Sequence, residues 1–300
     1  MSNSVSKGTS HLTPEAAKML GCSAEERISY IRSSRWIGYS KAKEIIAKME
    51  DLLVYPQKHR MPNLLIVGDS NSGKSMIAER CVDLHQPYER EDKQGIVIPV
   101  LSILAPPVPS ESRLHSNILE KLFAPYHRSD STERKYHQVL TLMKACNVKM
   151  LMIDEIHSVL AGNLEKQRVF LSVLRDLSNQ LKIPFVCLGT KDALRAIKTD
   201  AQLDNRFKSV LLPKWENDPD FKRLLVSFEF MLPLARASNL KSQRLSSKLI
   251  SMSEGLLGEL SELLTEAAVI AIKSGKEKID SELLSQMDWQ SPSVRKRVNG

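Results

Sequence analysis

No stretch of this chain approaches the roughly 18 uninterrupted apolar residues that a membrane-spanning helix needs. The opening MSNSVSKGTSHLTPE likewise has none of the apolar core that a secretory leader carries. Together these absences set the expectation of a cytoplasmic protein with no membrane partner. Cysteine is scarce: Cys22, Cys81, Cys146 and Cys187 stand far apart without C-x-x-C spacing. That excludes a disulfide framework or a zinc ribbon and leaves them as reduced packing residues. Long low-complexity tracts are missing, and so is any recognisable base-reading motif.

What is present suffices for a full core. A chain of 300 residues with 42% hydrophobic content makes one large or two modest domains. Lys and Arg number 43 against 35 Asp and Glu, a formal excess of +8. Such an excess favours a polyanionic partner, although an ordinary solvated basic surface accounts for it equally well.

Along the chain, residues 1–24 are Ser-rich with no helical or strand period and read as a flexible arm. Ser23 with Glu26 three residues on is a capping-box pattern. Ile45, Ile46, Met49, Leu52 and Leu53 then recur at helical spacing until Pro56 ends the run. Five apolar segments follow, NLLIVG, GIVIPVLSI, VKMLMIDEI, IPFVCLGT and SVLLP, separated by helical runs. Strands that are apolar throughout and alternate with helices imply a parallel sheet covered on both faces. The expectation is an α/β core over residues 25–214, then a small all-helical lid domain over residues 215–288. The tail WQSPSVRKRVNG, residues 289–300, is basic and reads as flexible.

Gly68, Asp69, Ser70, Asn71, Ser72, Gly73, Lys74 and Ser75 fit G-x-x-x-x-G-K-[ST], between a strand and a helix as that motif requires. The glycines permit a tight loop whose backbone N–H groups converge on phosphate oxygens, and the following helix turns its positive end toward them. Lys74 is placed to hold the β- and γ-phosphates of ATP, and the Ser75 hydroxyl to ligate Mg²⁺. The apolar strand MLMIDE ends in two carboxylates. Asp154 reads as the second Mg²⁺ partner and Glu155 as the base that polarises attacking water, while a plain helix N-cap is the other reading of paired acids. Thr190 ends the next buried strand, where it orients water or the γ-phosphate or simply closes a turn.

GDSNSGKS, LMIDE, LGT and DNRF in that order, followed by a helical lid, resemble the AAA+ superfamily of P-loop NTPases. RWIGYSKAKEIIAKMEDLL, DEIH and EGLLGELSELLTEAA are similar, more specifically, to TniB, the ATPase of transposons whose integrase is TniA, and beyond it to TnsC-type target selectors. The resemblance implies an ATPase that assembles as a homo-oligomeric ring or filament on duplex DNA. It implies further that this assembly couples target selection by a TniQ-like partner to the TniA-type transposase. It makes Arg206 a candidate finger for a neighbouring subunit's ATP, with a surface salt bridge as its other reading. It also places Trp36, Ile37 and Tyr39 near the adenine or its supporting helix, where core packing is equally open. No arginine occurs in Glu254–Glu259, where many AAA+ lids carry a sensor, which leaves backbone approach by Gly255 and Gly258 to the nucleotide. His157 beside the acidic pair invites a catalytic reading, with a supporting or packing role as the other. A helicase-loader-like replication ATPase is the competing function. Candidates for DNA phosphate contact are Arg113, Lys121, Arg128, Arg134 and Lys135, unless these form a solvated face.

Overall fold

The computed structural model describes residues 10–298 apart from 93, 94 and 199. The chain divides into two compact units, one made of residues 41–213 and the other of residues 1–40 together with 214–300. In chain order the first elements are α1 (Pro14–Met19), α2 (Ala24–Arg32) and α3 (Ser40–Leu53). Next come β1 (Asn63–Gly68), α4 (Lys74–Leu84), a short hairpin of β2 (Tyr88–Glu89) and β3 (Ile96–Val97), β4 (Val100–Leu104), α5 (Glu111–Lys121) and α6 (Thr132–Ala145). The unit closes with β5 (Met150–Asp154), a 3-10 turn (Ile156–Ala161), α7 (Leu164–Leu181), β6 (Phe185–Gly189), α8 (Lys191–Lys198), α9 (Ala201–Asp204) and β7 (Phe207–Leu212).

Within residues 41–213, five parallel strands form one sheet in the order β4-β5-β6-β1-β7. The three central strands, β5, β6 and β1, are buried at every position, which is why their sequences read as unbroken apolar runs. Leu65, Leu101, Leu114, Ile118, Ile153, Phe170 and Phe185 are almost fully enclosed. Each such side chain contributes roughly 1.5–3 kcal/mol by leaving water. GIVIPVLSI, expected as one strand, is divided. Pro99 has no N–H to donate, and Ile96–Val97 pair antiparallel with Tyr88–Glu89 before β4 begins at Val100. The Pro99 carbonyl instead accepts N–H bonds from Lys149 (2.9 Å) and Met150 (3.1 Å).

The second unit adds α10 (Pro219–Met231), α11 (Gln243–Ser253), α12 (Leu257–Lys273), α13 (Ser281–Gln286) and α14 (Pro292–Val298) to α1 and α2. Its apolar cluster includes Ile31, Phe221, Leu225, Leu249, Leu264 and Leu283. Ser23 caps α2 through the reciprocal bonds its sequence announces, to Glu26 N–H and from its own N–H to the Glu26 carboxylate. The chain termini differ from the flexible segments expected. Thr13 caps α1 and its N–H donates to Phe230 O at 2.7 Å, while Ala16 is fully buried. The Arg27 guanidinium binds the Pro233 carbonyl and the Glu277 carboxylate. At the other end Trp289 Nε1 donates to Met252 O at 3.0 Å, and Arg295 pairs with Glu259. Residues 25–40, expected with the α/β core, likewise fall in this helical unit. Residues 1–9, 299 and 300 of the expected arm and tail lie outside the described residues.

Gly255 has a structural task in this unit. Its φ of 73° lies in the left-handed region, its carbonyl accepts the Trp215 N–H at 2.9 Å, and a Cβ there would stand 2.5 Å from the Trp215 carbonyl oxygen. Gly275 has a similar φ of 69° but nothing within 4 Å of an added Cβ. Gly275→Ala is therefore expected to cost about 1 kcal/mol from backbone strain alone. Gly255→Ala should cost clearly more, because the Trp215 backbone must also move. Thermal unfolding of the two variants side by side checks this, and equal shifts would contradict it.

Candidate phosphate-binding site

Between β1 and α4 the chain makes a tight loop that needs glycine at both ends. A Cβ on Gly68 would lie 2.6 Å from Ser72 Oγ and 3.1 Å from Leu212 Cβ, while Gly73 has φ 92° and Asn71 φ 63°. Lys74 opens α4 with its ammonium folded back into this loop, donating to the carbonyls of Gly68 (3.0 Å) and Asp69 (2.8 Å). The residue is buried, and burial pulls its pKa below the ordinary lysine value against the opposing pull of Glu155, Asp154 and Asp69.

The next residue joins two distant pieces of sequence. Ser75 Oγ donates to Asp154 Oδ2 at 2.6 Å, and the other oxygen of that carboxylate accepts the Glu155 N–H at 2.7 Å. Asp154 is thus held at both oxygens at the end of β5. Glu155 takes φ 57° and ψ 33°, a left-handed conformation that a non-glycine residue adopts at a cost of order 1–3 kcal/mol and that recurs at functional sites. Its carboxylate meets His157 Nε2 at 3.2 Å. Thr190 follows β6, which lies between β5 and β1 in the sheet, so Thr190 emerges between Asp154 and the loop. Gly189 makes that exit possible, since a Cβ there would lie 2.6 Å from Ala193 Cβ.

Several polar atoms here are buried with no partner among the described residues: Ser72 Oγ and Thr190 Oγ1, together with His157 Nδ1. Buried hydroxyls are normally paired, so unpaired ones in and beside a glycine loop mark a place for an oxygen-rich anion. A hydroxyl and a carboxylate 2.6 Å apart are a donor set for a hard, oxygen-seeking divalent cation such as Mg²⁺. The residues present therefore fit a nucleotide triphosphate with its Mg²⁺.

Other expected residues stand elsewhere. Arg206 precedes β7, where its Nη1 donates to Asn179 Oδ1 at 2.8 Å near Arg60, Arg175 and Asp200. Parallel pairing runs from Asn63 opposite Phe207 to Gly68 opposite Leu212, so Arg206 and the phosphate loop lie at opposite ends of the sheet. No local sequence signal identified Asn179 as its partner. Tyr39 packs edge-on against Trp215 at 5.1 Å, and burial pushes its phenol up to about 12. Ile37 joins the same apolar cluster of the helical unit. Of the two glycines left open for backbone approach to nucleotide, Gly255 has its carbonyl taken by Trp215. Lys135 is also withdrawn from the DNA candidates: it is buried, and its ammonium donates to Ser112 Oγ and Arg128 O, each at 3.2 Å. Arg134 pairs with Asp130 at 3.2 Å but stays exposed, as do Arg113, Lys121 and Arg128.

Solved structures similar to this chain share its architecture at low sequence identity. The ORC2 protein of Aeropyrum pernix, solved in ADPNP–ADP complexes, matches with a TM-score of 0.60 and 16% identity over 85% of this chain and 69% of that one. Cdc6p from Pyrobaculum aerophilum gives 0.59 and 14% over 84% and 67% respectively. Drosophila ORC bound to DNA gives 0.56 and 13% over 95% and 69%. The shared fold is that of AAA+ proteins, a parallel five-stranded sheet flanked by helices and followed by a helical region. No curated protein sequence matches the chain. The family model described as bacterial TniB protein matches residues 27–217, well over half of the chain, and the protein belongs to the TniB family.

Proposed function

We propose that this protein binds MgATP, hydrolyses it, and regulates DNA transposition by assembling on target DNA and passing a target signal to the transposase. The observation that carries the first part is the convergence of Lys74, Ser75, Asp154 and Glu155 on one loop. Loop amides and the Lys74 ammonium hold the β- and γ-phosphates, and Ser75 and Asp154 hold Mg²⁺. When bound there, the ion would supply positive charge against the phosphates. Glu155 takes a proton from water as its oxygen attacks the γ-phosphorus, while the bond from that phosphorus to the β,γ-bridging oxygen breaks and ADP leaves. Thr190, its hydroxyl without a partner among the described residues, orients the water or the γ-phosphate. His157 holds the Glu155 carboxylate in place.

Arg206 acts on a neighbour. A six-residue strand separates it from its own phosphate loop by roughly 17 Å, beyond the reach of a guanidinium. Its role is to spread charge over the γ-phosphate of a second subunit. Duplex DNA is the polyanion that suits the excess of 43 basic over 35 acidic residues. The transposase of TniA type and a TniQ-like selector are the protein partners implied by membership of the TniB family. Retrieval of a transposase from the same locus by the tagged protein tests that part, and retrieval of a replicative helicase instead would favour a helicase-loader role.

Lys74→Ala is expected to lose tight MgATP binding, because loop amides alone then face the phosphate charge. Glu155→Gln should retain binding while slowing hydrolysis by orders of magnitude. A nucleotide titration and a phosphate-release assay on both variants check the pair, and wild-type affinity in the first or unchanged turnover in the second would remove the corresponding role. On duplex DNA, affinity is expected to be higher with ATP than with ADP, to depend little on sequence and to fall steeply with salt. Binding that is insensitive to salt, or equal in every nucleotide state, would contradict assembly on DNA through phosphate contacts.

Arg206→Ala should bind ATP normally yet fail to hydrolyse it. Mixing it with Lys74→Ala should restore part of the activity, because some mixed interfaces join an intact loop to an intact arginine. Normal turnover by Arg206→Ala, or no recovery in mixtures shown to co-assemble, would return Arg206 to a structural role beside Asn179.

A further inference from the structure

The sheet of the α/β unit ends at β4, whose outer edge pairs with no strand among the described residues. Exposed edges are usually blunted by lysine, proline or a bulge, and Val100-Leu-Ser-Ile-Leu104 has neither lysine nor proline. A groove of about 1000 Å³ runs along this edge, with β4 as its floor. One wall is a stripe of α4 at helical spacing that carries Glu79, Val82 and Asp83. Glu120 and Phe123, at the end of α5, form the other. Phe123 is 93% exposed and Leu104 is 63% exposed, so the groove presents apolar surface beside unpaired backbone. Asn117 Nδ2 donates to Leu104 O at 3.0 Å, filling the place that a neighbouring strand's N–H would take at the end of β4.

The charge of the walls identifies the occupant. Glu79, Asp83 and Glu120 have no cationic partner among the described residues, Glu120 accepting instead from the Tyr126 hydroxyl and Asp83 from Gln86 Nε2 at 3.5 Å, and Lys121 is the one cation in the lining. An acidic groove thus stands on a chain whose net charge is +8. We propose that this groove docks an extended basic segment of a protein partner, which adds to β4 as a sixth strand. Side chains of an added strand alternate between the two walls. Lysine or arginine at every second position meets Glu79 and Asp83, and apolar residues between them cover Phe123. Backbone bonds to the edge supply affinity and the walls supply selectivity, as in other cases of strand addition.

The test uses the full chain without nucleotide, so its outcome does not depend on the ATP reading, even though Ser75 and Asp154 reach one end of the groove. The probe is a fluorescein-labelled octapeptide of alternating Lys and Val, compared by anisotropy with the alternating Glu and Val peptide. The lysine peptide should bind at least tenfold more tightly. Glu79→Lys combined with Asp83→Lys should weaken it at least tenfold with an unchanged melting temperature, and Phe123→Ser, at a fully solvated position, should weaken it as well. Hydrogen exchange should show new protection of the amides between residues 100 and 104 when the peptide is bound. Equal affinity for both peptides, no loss in either variant, or no added protection at β4 would each overturn the proposal. Loss of self-association by the charge-reversed variant in sedimentation would overturn it too, by making a second copy of this chain the occupant.

Discussion

The α/β unit depends on the register of three adjacent parallel strands. Val67 stands opposite Gly189 and Ile153 opposite Cys187, so β1, β6 and β5 finish at one level. In a parallel sheet the carboxyl ends share an edge, and whatever follows each strand is delivered to the same place. The residues delivered here are the glycine loop with Lys74, Thr190, and Asp154 with Glu155. A slip of one residue in any strand would turn its side chains to the opposite face and separate Ser75 from Asp154, which are 79 positions apart in sequence. Enclosure of Leu65, Ile66, Ile153 and Phe185 is what makes such a slip expensive. Burial that carries no chemistry thus fixes the positions of the groups proposed to carry it.

Those groups are held in a state of partial dissatisfaction. Ser72 Oγ and Thr190 Oγ1 have no partner among the described residues, and each buried hydroxyl left unpaired forgoes about 1–3 kcal/mol. Lys74 is charged inside a region that disfavours charge, with two carbonyls as its partners. Glu155 holds a backbone conformation that a β-carbon resists. The first two penalties would be relieved by one event, arrival of an oxygen-rich anion that partners the hydroxyls and the ammonium. The folded unit is expected to gain stability from such a ligand through mass action, and the loop to become more rigid.

How much of this the sequence discloses depends on how local the cause is. The glycine loop, the capping box at Ser23 and the apolar strands are legible because a few neighbouring residues determine them. Pro99 was visible in the sequence, yet its effect on GIVIPVLSI depends on the hairpin with Tyr88–Glu89, whose pairing no short pattern announces. The termini looked flexible because their partners lie far away in sequence. His11 meets Leu234 across 223 positions. Lys135 looked like a surface cation until Ser112 and the Arg128 carbonyl enclosed its ammonium. In each case the missing information is a distant backbone or side-chain partner rather than a residue type.

The opposite placement of Arg206 and the phosphate loop also constrains assembly. If the arginine of one copy serves the loop of another, donor and acceptor are different surfaces of the α/β unit, at opposite ends of the strands. A contact of that kind joins unlike patches, whereas a two-fold dimer joins one patch to itself. Each copy then keeps an unused donor at one end and an unused acceptor at the other until further copies fill them. Such heterologous contacts generate a ring when the rotation between copies closes and a helical filament when it does not. Hydrolysis would accordingly depend on the number of interfaces rather than the number of chains, and an isolated copy would hold ATP without the charge needed to cleave it.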